Sequence, residues 1–373
     1  MTTSLSRRAW LQRSAMAAAI LPVSKWYVPD LEIRNDLNNP SGAAIKLNSN
    51  ENAYGPGPAS MKAMVESLGQ ANRYPWDIIN GLRNAIAGRE DVSPDHVLVT
   101  AGSTEILALA GLAFGLHKGE MLACDPTFDF LMRYAEKFKC KWKKIPVAAD
   151  FQYDLNAISD AAGKKTRLIF ICNPNNPTGM EIPNDTLKSF CTSHAAKYPI
   201  YIDEAYIEFS SRGKESSMVS LVDQYPNLII GRTFSKIYGL AGMRIGYAIA
   251  HPDTIAKLDV IHQGRGMNIS VAAAAGAIAA LTDPGFETMV RGKVIEGRNL
   301  VNKAFDQWGV KYLPSATNFI FFRNEKFTAN PQKAMEQENI LIRNYDNVEG
   351  WSRVSIGKVE EMKQFVEAMG KYV

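Results

Sequence analysis

The chain has 373 residues, which allows two or three domains at the usual ~100–200 residues each. Hydrophobic residues make up 46% and charged residues 21%, the balance of a globular protein with a sizeable core, so collagen-like, disordered and disulfide-scaffold readings fall away. Net charge is +4, but Arg7, Arg8, Arg13 and Lys25 lie in the first 25 residues with no acid among them; without those four the rest holds 38 basic and 38 acidic residues, and a nucleic-acid role driven by bulk charge loses its support.

The N-terminus reads as an address. Ser6-Arg7-Arg8-Ala9-Trp10-Leu11-Gln12 precedes an Ala-rich, mildly apolar stretch from Ser14 to Val23. Paired arginines before a short apolar segment resemble a bacterial twin-arginine export signal, which implies the periplasm. A basic amphipathic helix on a cytoplasmic protein is the competing reading. No stretch approaches the ~20 apolar residues that cross a bilayer, so no membrane span is expected.

Seven strands are predicted in order: His96–Ala101, Glu120–Cys124, Lys141–Val147, Arg167–Cys172, Ile200–Asp203, Asn227–Arg232 and Arg244–Ala250. Helical patterns such as Thr104–Leu116 and Asn184–Lys197 separate most of them. Such alternation predicts an α/β fold, a mostly parallel sheet with helices on both faces. The connection from Arg232 to Arg244 is too short for a parallel crossover, so one strand is expected to be antiparallel. After Pro252 the pattern becomes helical (Val271–Leu281, Pro284–Trp308) and then mixed, ending in a helix over Val359–Lys371. This predicts a signal segment at 1–25, a large domain at 48–261, and a smaller α+β domain at 262–373 together with 26–47. Cys124, Cys140, Cys172 and Cys191 have no metal-ligand spacing and are expected to be buried free thiols.

Four segments carry chemistry. In Arg232-Thr233-Phe234-Ser235-Lys236, with Arg244 shortly beyond, a hydroxyl and a guanidinium suited to phosphate flank an amine. That amine suits Schiff-base chemistry, and burial among cations would lower its pKa. A solvated surface lysine is the plainer reading of the residue alone. Asp203-Glu204-Ala205-Tyr206 ends a strand, where α/β sheets bind ligands; Asp203 is either a helix cap or an acid paired with a cofactor nitrogen. Asn173-Pro174-Asn175-Asn176-Pro177-Thr178-Gly179 makes a rigid turn that could hold an amide donor. Ala101-Gly102-Ser103-Thr104-Glu105 leads into a helix, either as a simple cap or as a phosphate cradle.

Together these segments resemble fold-type I aminotransferases that use pyridoxal 5'-phosphate (PLP), in the histidinol-phosphate aminotransferase-like branch. The resemblance runs from about Ile45 to Ile356. It includes Leu47-Asn48-Ser49-Asn50-Glu51-Asn52-Ala53-Tyr54-Gly55, Arg73-Tyr74-Pro75 and Trp351-Ser352-Arg353-Val354-Ser355-Ile356-Gly357. It implies a mixed, mostly parallel seven-stranded sheet, a smaller C-terminal α+β domain, and a homodimer with a shared active site. Lys236 would bind the cofactor covalently and move the proton. Asp203 would pair with the ring nitrogen, Asn176 and Tyr206 with the ring hydroxyl, and Phe128 would stack on the ring. Gly102, Ser103, Thr104, Ser235 and Arg244 would hold the phosphate, with Tyr54 lent by the partner from a Gly/Pro-rich arm ill suited to packing on its own domain. Arg353, assisted by Arg343, would grip a substrate carboxylate or phosphate, and Asn318 would line the substrate side.

One segment departs from the branch. Gly264-Arg265-Gly266-Met267-Asn268-Ile269-Ser270 stands where a Pro-aromatic-Asn-x-Asn run is usual, near the substrate mouth, which leaves the substrate open. The resulting expectation is a PLP-dependent aminotransferase moving an amino group between an amino acid, or a histidinol phosphate-like amine, and a 2-oxo acid. A lyase, decarboxylase or racemase on the same fold and a non-catalytic binding protein are the alternatives.

Overall fold

The computed structural model describes residues 44–262, 267–345 and 348–373. The arginine pair and apolar stretch of the N-terminus, and residues 264–266 of the departing loop, lie outside them.

Seven strands form the main sheet: β1 (Val97–Thr100), β2 (Gly119–Asp125), β3 (Cys140–Pro146), β4 (Thr166–Cys172), β5 (Ile200–Asp203), β6 (Leu228–Thr233) and β7 (Gly246–Ala250). Their spatial order is β1-β7-β6-β5-β4-β2-β3. β7 runs antiparallel to both neighbours, as the short connection after Arg232 requires, and the other pairings are parallel. Ile200–Asp203 and Leu228–Thr233 are buried along their whole length, because helices cover both faces of the sheet. All four cysteines are buried and free; burial pushes the Cys124 and Cys191 thiols up to about 12.

Beyond β7 the helices Val271–Leu281 and Pro284–Trp308 start where the sequence places them. Ser270 and Asp283 cap their first turns by accepting from Ala273 N and Phe286 N. Gly309, at φ +65°, ends the longer one in the left-handed conformation that glycine adopts without strain. A three-stranded antiparallel sheet follows, with β10 (Trp351–Ser355) between β9 (Arg343–Asn344) and β8 (Phe319–Arg323). The final helix covers Val359–Gly370. Ile45–Lys46 pairs in parallel with Ile340–Leu341. Ser355 N then donates to Leu47 O at 2.9 Å, which lays residues 47–50 along the edge of β10. Among the described residues no helix is long and apolar enough to cross a membrane.

Candidate active site

The C-terminal ends of β4, β5 and β6 and the start of the helix after β1 open onto one cavity of about 420 Å³. Ser103, Thr104, Phe128, Asn176, Asp203, Tyr206, Ser235, Lys236, Arg244, Arg343 and Arg353 all line it. Residues more than 200 positions apart thus meet at the sheet edge where α/β folds bind ligands.

One end is built for an anion. The helix Ser103–Gly115 presents its N-terminus there, with Ser103 and Thr104 in the first turn. Arg244 lies across the preceding Gly102: a Cβ at Gly102 would meet Arg244 Nη2 at 2.6 Å, and its φ of +86° already favours glycine. Gly102 is therefore the floor under the guanidinium rather than a wall of the cavity. Ser235 supplies a hydroxyl from the loop after β6.

At the centre, Lys236 Nζ donates to Asn50 O at 3.1 Å and stands over the Tyr206 ring, 5.5 Å from its centroid. Burial, with the Arg353 and Arg244 charges nearby, lowers this amine to about 8. Asp203 is 3% exposed and accepts from Ala205 N at 3.1 Å. Burial pushes its carboxyl up to about 7 against the pull of that amide and of Lys236. A carboxylate in this position needs a cation beside it to stay ionised at neutral pH, and a protonated ring nitrogen is such a cation. Tyr206 accepts from Asn50 Nδ2 at 2.8 Å, so its own proton is left for a ligand; burial raises its phenol well above the ordinary range.

At the far end, Arg353 is 2% exposed. Its Nη1 donates to Asn176 Oδ1 and to the Tyr345 hydroxyl, both at 2.6 Å, and its Nη2 to Asn48 O at 2.8 Å. With its oxygen taken, Asn176 has its amide nitrogen to offer a ligand. Arg343 faces Arg353 directly across the β9–β10 pair.

Two candidates lie elsewhere. Asn318 does not line the cavity but stands behind its wall, donating to Asn50 O at 3.1 Å and Glu51 O at 3.3 Å. Tyr54 also lies outside this chain's own cavity. It is partly buried against the main core, near Val359, Lys293 and Glu360 of the C-terminal part of the chain, and burial raises its phenol. Sequence reasoning passed over Asn50 and Tyr345. Asn50 sits at φ +55° and is held by Ser355 at both its backbone N and its Oδ1. Its place in the Asn48–Asn52 run was the available signal; Tyr345 had none.

The anion cradle, the buried carboxylate and the amine between them fit a phosphorylated pyridine aldehyde. The model of the family described as aminotransferase class I and II matches residues 43–369. The chain belongs to that family. This aminotransferase is 34% identical over 334 residues to a histidinol-phosphate aminotransferase of Clostridium botulinum (strain Okra / Type B1), covering 88% of this chain and 92% of the relative. A solved structure from Erwinia carotovora atroseptica SCRI1043 superposes with a TM-score of 0.84 at 30% identity, covering 88% of this chain and 95% of that one. The histidinol-phosphate aminotransferase of Sinorhizobium meliloti, solved in complex with pyridoxal-5'-phosphate, shares the fold with a TM-score of 0.81 at 24% identity, over 95% of this chain and 98% of that one. The enzyme is a PLP-dependent transaminase of fold type I, in the histidinol-phosphate aminotransferase-like branch.

Proposed function

We propose that the aminotransferase takes its amino group from a donor carrying an anion, either an amino acid or an amine like the histidinol phosphate its relatives are named for, and passes it to a 2-oxo acid. The observation that carries this reading is the arginine pair at the far end of the cavity. Arg353 and Arg343 oppose each other across an antiparallel pair, and neither has a carboxylate partner among the described residues. Like charges placed so are destabilising, and a bound anion relieves them.

The positions of the side chains support these roles. Ser103, Thr104, Ser235 and Arg244 would hold the PLP phosphate. Asp203 would pair with the ring nitrogen, Tyr206 and Asn176 would donate to the ring hydroxyl, and Phe128 would stack on the ring. PLP, when bound, takes up the electron pair left as the donor's Cα–H bond breaks. Lys236, an amine near neutrality, anchors the cofactor and carries the proton between Cα and C4′. Arg353 orients the donor through its anion. Residues 48–261 would form the cofactor domain and 262–373 the domain carrying the arginine grip; the 26–43 part of the predicted smaller domain lies outside the described residues.

We also read the enzyme as a homodimer in which Tyr54 reaches the partner's phosphate site. Its exclusion from its own cavity supports this, as do the exposed apolar side chains of Leu68, Tyr74, Trp76, Val260 and Met267, which a second copy would cover. The concentration of unbalanced positive charge in residues 1–25 supports export through Arg7-Arg8 as a folded holoenzyme.

The deciding experiment offers purified holoenzyme L-histidinol phosphate, free L-histidinol and a panel of amino acids, with 2-oxoglutarate as acceptor. Turnover restricted to donors with an anion, and a KM raised about a hundredfold or more by Arg353→Gln, is the expected result. Equal turnover of uncharged amines would overturn the reading.

A further inference from the structure

A second cavity, about 340 Å³, adjoins the first and shares Phe128, Asn176, Arg343 and Arg353 with it; Tyr345, Asn344, Arg133, Asp129 and Thr127 complete its wall. Asp129 is already engaged by Arg133 Nε at 2.5 Å. Tyr345 lines this second cavity and touches two residues that line both, Arg353 and Arg343. Its ring is shared by the two arginines, whose guanidinium carbons lie 5.3 Å (Arg343) and 5.5 Å (Arg353) from its centroid. It packs edge-on against Phe321 at 5.6 Å, which fixes its plane.

The hydroxyl accepts from Arg353 Nη1 at 2.6 Å. Among the described residues its own proton has only Asn176 Oδ1 to go to, at 3.5 Å, beyond the usual range for O–H···O and onto an oxygen that Arg353 already holds. A phenol that accepts from a guanidinium is a strengthened donor. Arg353 Nε is also buried without a partner among the described residues. Donors thus accumulate at this spot in excess of acceptors.

Resting on the two-arginine reading above, we propose that Tyr345 is a specificity-determining residue that donates to the substrate's anion and tips the site toward a phosphate monoester over a carboxylate. A planar carboxylate is satisfied by two parallel N–H donors of one guanidinium. A phosphate presents a third oxygen out of that plane, and the Tyr345 hydroxyl, attached to the Arg353 fork but carried on a separate ring, serves it.

The test compares wild-type and Tyr345→Phe holoenzyme. The substitution keeps the ring, its contact with Phe321 and its place between the arginines. The ratio of kcat/KM for L-histidinol phosphate to that for the best amino-acid donor should fall about tenfold, the fold-change of one charge-assisted hydrogen bond, with the loss in KM. Inhibition by inorganic phosphate of the amino-acid reaction should weaken by a similar factor. A role confined to packing would lower both reactions together and leave the ratio and the phosphate inhibition unchanged, and that result overturns the proposal. If wild type ignores histidinol phosphate, the amino-acid form of the donor reading stands alone, and phosphate inhibition still decides the role of Tyr345: absence of inhibition in wild type, or equal inhibition of both proteins, refutes it.

Discussion

Replacing Asp203 by Asn removes a charge while keeping a side chain of the same shape that can still accept from Ala205 N. Burial lifts the Asp203 carboxyl from 3.8 to about 7. At 1.36 kcal/mol per pKa unit, holding it ionised costs on the order of 4 kcal/mol. A carboxyl at about 7 is half ionised at neutral pH, and the protonated ring nitrogen of PLP would hold it fully ionised by offsetting a penalty of that size. An amide gives no such return, and the ring nitrogen then loses its proton and much of its pull on the Cα electrons. The proton-removal step should slow by about a thousandfold, since each ~1.4 kcal/mol is tenfold in rate. Cofactor binding should suffer far less, because the phosphate cradle of Ser103, Thr104, Ser235 and Arg244 is built from other residues. Stopped-flow absorbance of the half-reaction with a saturating donor separates the two effects. A loss below about tenfold, or a variant that no longer retains PLP, would refute the assignment of the ring nitrogen to Asp203.

Lys236→Ala should bind PLP without a covalent link, so borohydride reduction followed by mass spectrometry should find no adduct; an adduct at another lysine would displace Lys236 from its role. In the apoenzyme the Lys236 amine, lowered to about 8, gains its neutral form as pH rises, so the rate of PLP capture should climb from pH 6 and level off above about 9; a flat profile contradicts this. Mixing inactive Lys236→Ala with inactive Tyr54→Ala protomers should restore roughly a quarter of wild-type activity after subunit exchange if each site draws on both copies, since the heterodimer then holds one intact site; no recovery in a mixture shown by sedimentation to exchange would sink the shared site. Arg232 is buried among Glu204, at 2.7 Å, Glu90, at 3.6 Å, and Glu208, at 3.8 Å. Arg232→Met strands those carboxyls and should destabilise the fold by about 3–5 kcal/mol in chemical denaturation.

The sheet was legible because its strands announce themselves. Leu168–Cys172 and Leu228–Ile230 are unbroken apolar runs, and the eleven-residue gap between Arg232 and Arg244 forbids anything but a reversal. Much of the polar inventory of the cavity was legible for a related reason: Ser103, Asn176, Tyr206, Ser235 and Lys236 sit just past a strand end, where the chain has to leave the sheet. What stayed hidden was contact between distant segments. Nothing in the neighbourhood of Tyr345, just past a short strand late in the chain, says that its ring will stand between Arg343 and Arg353. Asn318 looks like a cavity residue by its position before β8, yet its side chain is spent on the backbone of Asn50 and Glu51. Tyr54 sits among Gly55, Pro56, Gly57 and Pro58, a composition that suggests a loose arm; the packing of its ring against the C-terminal helices depends on residues more than 200 positions away.

Residues 47–50 are stitched to the strand that bears Arg353 at three points: Ser355 N to Leu47 O, Arg353 Nη2 to Asn48 O and Ser355 Oγ to Asn50 Oδ1. The same Asn50 offers its carbonyl to the Lys236 amine and its amide to Tyr206. The segment is therefore a short brace with the anion grip at one end and the lysine at the other. Arg353 and the carbonyl that meets Lys236 rest on the same four residues of backbone, so a substitution that loosens Ser355 or Asn50 disturbs both ends of the cavity at once.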